Sequence, residues 1–516
     1  MRTRGVVAGG DTQTAQAGAR LLEEGGNAVD AAVAAAFAAF VCELPLCSPL
    51  GGGVMVVERP GKAPVAYDLF ARTPGLGLAT RPALDFDAVS VSFGAADQVF
   101  HVGRASVAMP LALSGLLQVH AKHGARPLAE VLAPAIELGR DGYIVGAGLA
   151  FVFAILDPII HRTPQCRALF ADETDTVGRV GARCWNRDLA AVLSDIARDP
   201  ARVRDVYAQL ANEFGPADGG LITAEDIAKI DAVELVPVTT EHAGWRLATM
   251  PSPSTGGVLV ALGTRLLEGI GATTRLSLQH VMTMAKVQEA LLEERRAADF
   301  VARCADPEAV RALLSDPHLA AARHDARNLL GSTTQISAID EQGYSVALTL
   351  TNGEGSGHVV SGTGMIANNL MGEEDLHPRG FHVDPAGTPL STMMAPTLLS
   401  RGSDRIALGS GGSNRLRTAI LQVIVGIIEH GVDPETAVAS PRLHLEMDAA
   451  GMPRIAFEAD GLDLAVTKAL ADAYPPKPAV FAAPNLYFGG VHLAMRRGSE
   501  FEGVGDARRS GKSVVV

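Results

Sequence analysis

The sequence predicts a layered α/β fold, and three observations carry that expectation. Up to about residue 330 the pattern is mostly helical. Two apolar segments in that stretch, 54–58 and 64–70, read as paired strands. From residue 333 onward the character changes to strands with one long helix among them. Helices and sheets that each carry an apolar face must stack those faces together, so the sheets are expected to share one core.

The elements follow in chain order. Residues 14–24 (TAQAGARLLEE) have helical spacing and stop at Gly25-Gly26. Residues 28–42 read as a buried, Ala-rich helix whose small side chains allow close packing. Gly51-Gly52-Gly53 breaks the chain before VMVVE (54–58) and PVAYDLF (64–70). Residues 105–160 look helical, with Pro110 and Pro134 as punctuation. From 160 to 235 the pattern is helical and irregular. Residues 246–269 give a strand, a Pro/Ser/Gly turn and a helix, and 278–300 a long helix. Residues 306–330 are polar and helix-prone. Then TQISAID, YSVALTLT and RIALGS read as strands, with TAILQVIVGIIEH (418–430) as a helix. No internal repeat or low-complexity tract interrupts the series.

Composition narrows the function classes. With 47% hydrophobic and 20% charged residues the chain is an ordinary globular one, not a disordered one. The net charge of −13, without a basic run, argues against a nucleic-acid or anionic-membrane partner. Cys42, Cys47, Cys166, Cys184 and Cys304 form no CxxC pair, so small buried thiols are expected rather than disulfides or a zinc site. No metal and no cofactor is expected. Two arginines near the start precede no apolar stretch of the signal-peptide kind, and the apolar run 28–42 is too short to span a bilayer. The expectation is a soluble, cytoplasmic protein.

The chemistry concentrates in three loops. GSTTQIS (331–337) is by composition only a small polar loop before a strand. A threonine whose α-amino group is freed by backbone cleavage, however, holds nucleophile and base in one residue, the amine taking the hydroxyl proton as the oxygen attacks a carbonyl. Gly331 and Ser332 would leave room for Thr333 to attack the carbonyl of Ser332 in a self-cleavage step. GSGGSNR (409–415) is either a tight turn or a place where two backbone N–H groups approach a developing oxyanion with no Cβ in the way. PLSTMMAPT (389–397) sets Ser391 and Thr392 in a Pro-bounded loop, where their hydroxyls cap a turn or line a site.

Taken together and in order, these motifs resemble the γ-glutamyltransferase family of N-terminal-nucleophile (Ntn) hydrolases. GGNAVDAAVAAAFA (25–38), the triple glycine 51–53, VLAPAIELGRDGY (131–143) and MPSPSTGG (250–257) are similar to its large-subunit half. TTQIS, GTGMIANN (362–369), PLSTMMAPT, SGGSNR and SPRLH (440–444) are similar to its small-subunit half, and GVGDARRSGK to its closing motif. The resemblance implies a four-layer αββα sandwich. It implies a precursor that cuts itself into residues 1–332 and 333–516, the two fragments staying together as a heterodimer around one core, with further dimerisation left open. It places the nucleophile at Thr333, the second threonine of the pair at Thr334, a threonine that bonds the nucleophile's amine at Thr351 with Asn352 after it, the oxyanion glycines at Gly411 and Gly412, and substrate-holding hydroxyls at Ser391 and Thr392. The partner it implies is a small acyl substrate.

Two departures bear on the substrate. The family holds the glutamyl carboxylate with an arginine two residues after an aspartate. Here the segment is DLFARTP, with Phe70 in that register and Arg72 two residues on, about 6–7 Å further along an extended strand. The amine-binding segment reads NNLMGEED (368–375), with Leu370 at the amide position and Glu373 at the acidic one. Three readings follow: a γ-glutamyl or related amide hydrolase/transferase; a member recruited to another bond, as family members act on oxamate or cleave a carbon–carbon bond on the way to the alkylproline units of lincomycin- and anthramycin-type antibiotics; or an uncleaved pseudoenzyme.

Overall fold

The computed structural model describes residues 4–516 apart from 93–96, 269, 271–272, 298, 316–332, 378, 448–450 and 476–477. Two antiparallel sheets form its centre. The first runs, in spatial order, Val233–Leu235, Val65–Leu69, Gly52–Glu58, Ser345–Thr351, Thr334–Asp340, Gly5–Gly9 and Lys512–Val515. The second runs Val238–His242, Trp245–Thr249, Thr397–Arg401, Asp404–Gly411, Gly490–Arg497 and Glu500–Val504.

Period-two alternation sorts the first sheet's side chains between two cores. Val6, Val54, Val56, Ile339 and Ala347 point at the second sheet, which turns the row of Ala248, Leu398, Ala407 and Ala494 toward them and the row of Leu247, Leu399, Ile406, Leu408 and Leu493 away. Their neighbours Val7, Met55, Ile336, Leu348 and Leu350 point the other way, onto the helices Thr12–Glu23 and Ala28–Cys42. Helices Thr255–Leu267 and Leu416–Ile428 cover the outer face of the second sheet, and Leu278–Arg295 packs on Thr255–Leu267 and the strand Leu443–Met447. The architecture is therefore the expected αββα sandwich.

The helix Ala28–Cys42 shows why its composition is so plain. All fifteen residues are buried, and alanines let it lie between a sheet and other helices at short distance. Its start is held by a capping box of Asn27 and Asp30. The Asp30 carboxylate also accepts the N–H groups of Ala125 and Arg126, tying the helix to the loop behind it.

Three sequence expectations change. Pro134 does not punctuate: it lies inside the helix Leu128–Asp141. The long helix expected over 278–300 stops at Arg295 and is followed by Phe300–Ala305. The helix-prone segment 306–330 forms Pro307–Ser315, and the remainder lies outside the described residues. All five cysteines are free and buried. Among the described residues no helix is long and apolar enough to cross a membrane.

Candidate active site

Sheet register brings the sequence-selected residues together. Thr334 pairs with Leu350, so one step further Thr333 comes opposite Thr351. Alternation puts both on the face that looks toward the second sheet. Thr351 itself pairs with Gly52 of the glycine triplet. Thr333 and Thr351 are both buried, 5% and 7% exposed. The Thr351 hydroxyl accepts the N–H of Gly353 at 3.1 Å. Asn352 is fully buried, and neither its Oδ1 nor its Nδ2 has a hydrogen-bond partner among the described residues. Ser332, the other side of the expected cut, lies outside the described residues.

From the second sheet the strand Asp404–Gly411 ends against the same point. A Cβ on Gly411 would collide with the Thr333 carbonyl oxygen, so only glycine lets these two backbones meet. Gly412 follows with φ +119°, and Ser413 with φ 47°. Both are left-handed conformations that turn the chain sharply into the helix Leu416–Ile428. Asp375 secures the turn, accepting the Ser413 hydroxyl at 2.8 Å and the Asn414 amide at 3.0 Å.

The expected substrate-binding residues are placed differently. Phe70 is 1% exposed and packs in the inter-sheet core with Ala108, Leu370 and Met371. Its ring lies against Gly52, where a Cβ would come within 2.6 Å. Arg72 forms an ion pair with Asp68 at 2.8 Å and donates to the Ala71 carbonyl, so its guanidinium is held by its own segment. Glu373 is half-buried beside Asn369 and Gly353. Desolvation first, then the Asp375 charge, pushes its carboxyl up to about 8. Thr392 caps its own turn by accepting the Met394 N–H at 3.2 Å. Ser391 is half-buried in the same loop, next to the bridge between Arg72 and Pro389.

Thr334 faces away from Thr333, toward the helix layer. Its hydroxyl donates to Glu43 at 2.5 Å, and the Thr14 hydroxyl donates to the same carboxylate at 2.5 Å. Glu43 is fully enclosed, and burial raises its pKa to about 7 against the two hydroxyl bonds that lower it. Sequence reasoning does not reach Glu43, Asp375 or Arg509. Glu43 stands at the end of an apolar helix like any cap, Asp375 sits in an acidic run, and Arg509 lies in a motif that stands out only by its family likeness. Nothing local marks any of them.

The family model of gamma-glutamyltranspeptidase matches residues 14–516. The "Acylase ACY 1 proenzyme" of Pseudomonas sp. (strain SE83) is 32% identical, over 86% of this chain and 83% of its own. The "Glutathione hydrolase proenzyme" of Escherichia coli (strain K12) is 28% identical over 86% and 81%. In fold, the cephalosporin acylase from Bacillus halodurans superposes with a TM-score of 0.79 at 21% identity, covering 99% of this chain and 96% of that one.

Proposed function

The chain belongs to the gamma-glutamyltranspeptidase family, and from that premise we propose that it is a self-processing amidohydrolase whose nucleophile is Thr333 and whose substrate is a non-glutamyl acyl amide. The observation that carries this reading is the meeting, at one end of the two sheets, of Thr333, Thr351 and the Gly411–Gly412 turn.

In this reading the precursor cuts itself between Ser332 and Thr333, and the fragments 1–332 and 333–516 remain one heterodimer. The freed α-amino group of Thr333 accepts the proton of its own hydroxyl, directly or through a water. The hydroxyl oxygen attacks the substrate's amide carbon. Backbone N–H groups of the Gly411–Gly412 turn face the oxyanion that develops, and Thr351 steadies the amine. The amine product leaves with the proton, and water or a second amine then takes the acyl group from Thr333.

The preference for a non-glutamyl substrate rests on the recognition wall. A bidentate arginine–carboxylate contact has a geometry that the Phe70 ring does not reproduce. Arg72 is already paired with Asp68. The 32% identity to a protein named an acylase points the same way. The γ-glutamyl reading keeps one support, the 28% identity to a named glutathione hydrolase. A denaturing gel with N-terminal sequencing tests the maturation: the smaller fragment begins TTQIS, and a single full-length band or another start overturns it. Turnover of γ-glutamyl-p-nitroanilide against a panel of N-acyl amides then separates the two substrate readings.

A further inference from the structure

Arg509 lies at the end of the short turn Ala507–Arg509, and three glycines clear a path for it. Its stem passes over Gly490, where a Cβ would stand 2.7–2.8 Å from the Arg509 Cβ, Cγ and Cδ. Its guanidinium ends at the Gly411–Gly412 turn, with Nη1 3.2 Å from the Cβ position of Gly411 and Nη2 3.5 Å from that of Gly412. The cation therefore stands directly behind the turn that meets the Thr333 carbonyl.

Among the described residues Arg509 has no ion pair of its own, although Asp11 and Glu43 line the cleft it borders. Asp506, whose charge acts on Arg509, already pairs with Arg442 at 2.7 Å and Arg508 at 3.4 Å and accepts the Val491 N–H. Arg508 in turn is bound to Glu458. The Arg509 Nε is buried with no hydrogen-bond partner among the described residues. Burial lowers its pKa to about 10, which leaves it charged at neutral pH. A desolvated guanidinium without a counter-ion costs several kcal/mol. An anion supplied from outside would relieve that cost.

Arg509 also borders an open cleft. Part of its wall is apolar, with Leu46, Leu149, Val152 and Leu156, and the carboxylates of Asp11 and Glu43 line it as well. We propose that this cleft binds the substrate, with Arg509 taking a carboxylate group and the apolar wall taking a hydrocarbon or aromatic group beside it. The substrate class is then a carboxylate-bearing, apolar amide, recognised from the C-terminal turn instead of from the strand that carries Phe70. The proposal rests on Thr333 being the reacting residue only for its catalytic consequence, since binding can be measured without turnover.

The test is calorimetric titration of purified, full-length protein with N-acetylphenylalanine and with its neutral carboxamide. Wild type is expected to bind the acid at least ten-fold more tightly than the carboxamide. Arg509→Gln should erase that difference while leaving carboxamide binding unchanged, and Arg509→Lys should keep some of it, because a lysine retains the charge without the planar fork. Equal affinity of wild type for the two ligands overturns the proposal without any variant being needed. So does a well-folded Arg509→Gln protein that keeps the preference. If the gel shows no cleavage but the acid preference stands, the nucleophile assignment fails and the binding site survives.

Discussion

The proposed reacting end of the molecule and its proposed recognition wall are built from different materials. Thr333, Thr351, Gly411 and Gly412 are placed by strand register and by backbone contact, and the collision a Cβ on Gly411 would make ties the two sheets to each other. The wall of Phe70, Arg72 and Glu373 is built from side chains, and each has its own surroundings: core packing, a local ion pair and a carboxyl whose pKa desolvation raises. Backbone geometry survives substitution of its neighbours, whereas a charged side chain's role depends on who else is near. In the proposed reading, one fold keeps its chemistry while changing what it accepts.

Replacing Thr333 by alanine is the harshest challenge to the first half of that comparison. Both maturation and turnover should disappear, on the scale of about 10⁶-fold seen when a nucleophile is removed. A Thr333→Ala protein that still matures and hydrolyses would refute the assignment. Gly411→Val comes next. Its side chain must displace the Thr333 carbonyl, so kcat should fall at least the roughly 100- to 1000-fold that loss of one oxyanion donor costs. Kinetics of a folded variant at wild-type kcat would detach the turn from the reaction.

The recognition wall gives smaller effects. Wild type should hydrolyse glutathione with kcat/KM well below about 10⁴ M⁻¹s⁻¹, the lower edge of ordinary enzyme efficiency. Phe70→Arg should not rescue it, because position 70 is packed among Leu370 and Met371, and a charge placed there lowers stability. A ten-fold or larger gain in glutathione turnover on that substitution would mean that the family's carboxylate slot is still open.

The mildest test concerns Glu43, which titrates near 7 in the fold against an ordinary value of 4.5. Between those pH values the native state holds a proton that the unfolded chain has lost, so stability falls as pH rises through that window and levels off above it. The size is on the order of 3 kcal/mol. Glu43→Gln keeps an acceptor for the Thr14 and Thr334 hydroxyls but does not titrate, so its Tm should drop less than wild type's between pH 5 and pH 8. Parallel drops in the two proteins would show that Glu43 does not carry this dependence.

Much of the site is legible in the residues because its components are local words: a small-residue pair before a strand, a glycine pair after one, a hydroxyl pair between prolines. Even the strand and helix ends come close, TQISAID matching Thr334–Asp340 and the helix expected over 418–430 running Leu416–Ile428. What the words omit is facing. Thr333 and Thr334 look equivalent in sequence, yet the pleat sends one toward the second sheet and the other to Glu43, nearly three hundred positions away. Arg72 looks like a spare anchor until Asp68 is seen to hold it.

By itself the sequence determined the layered α/β class, through the periodicity of its apolar residues, and it singled out a candidate reacting loop, through residue types that chemistry requires at adjacent positions. Only the tertiary structure decided which groups are charged, paired or left over. Burial, ion pairing and the approach of Arg509 to Gly411 depend on distances between segments remote in the chain. No local pattern encodes those distances, because they are set by how the two sheets and their helices pack.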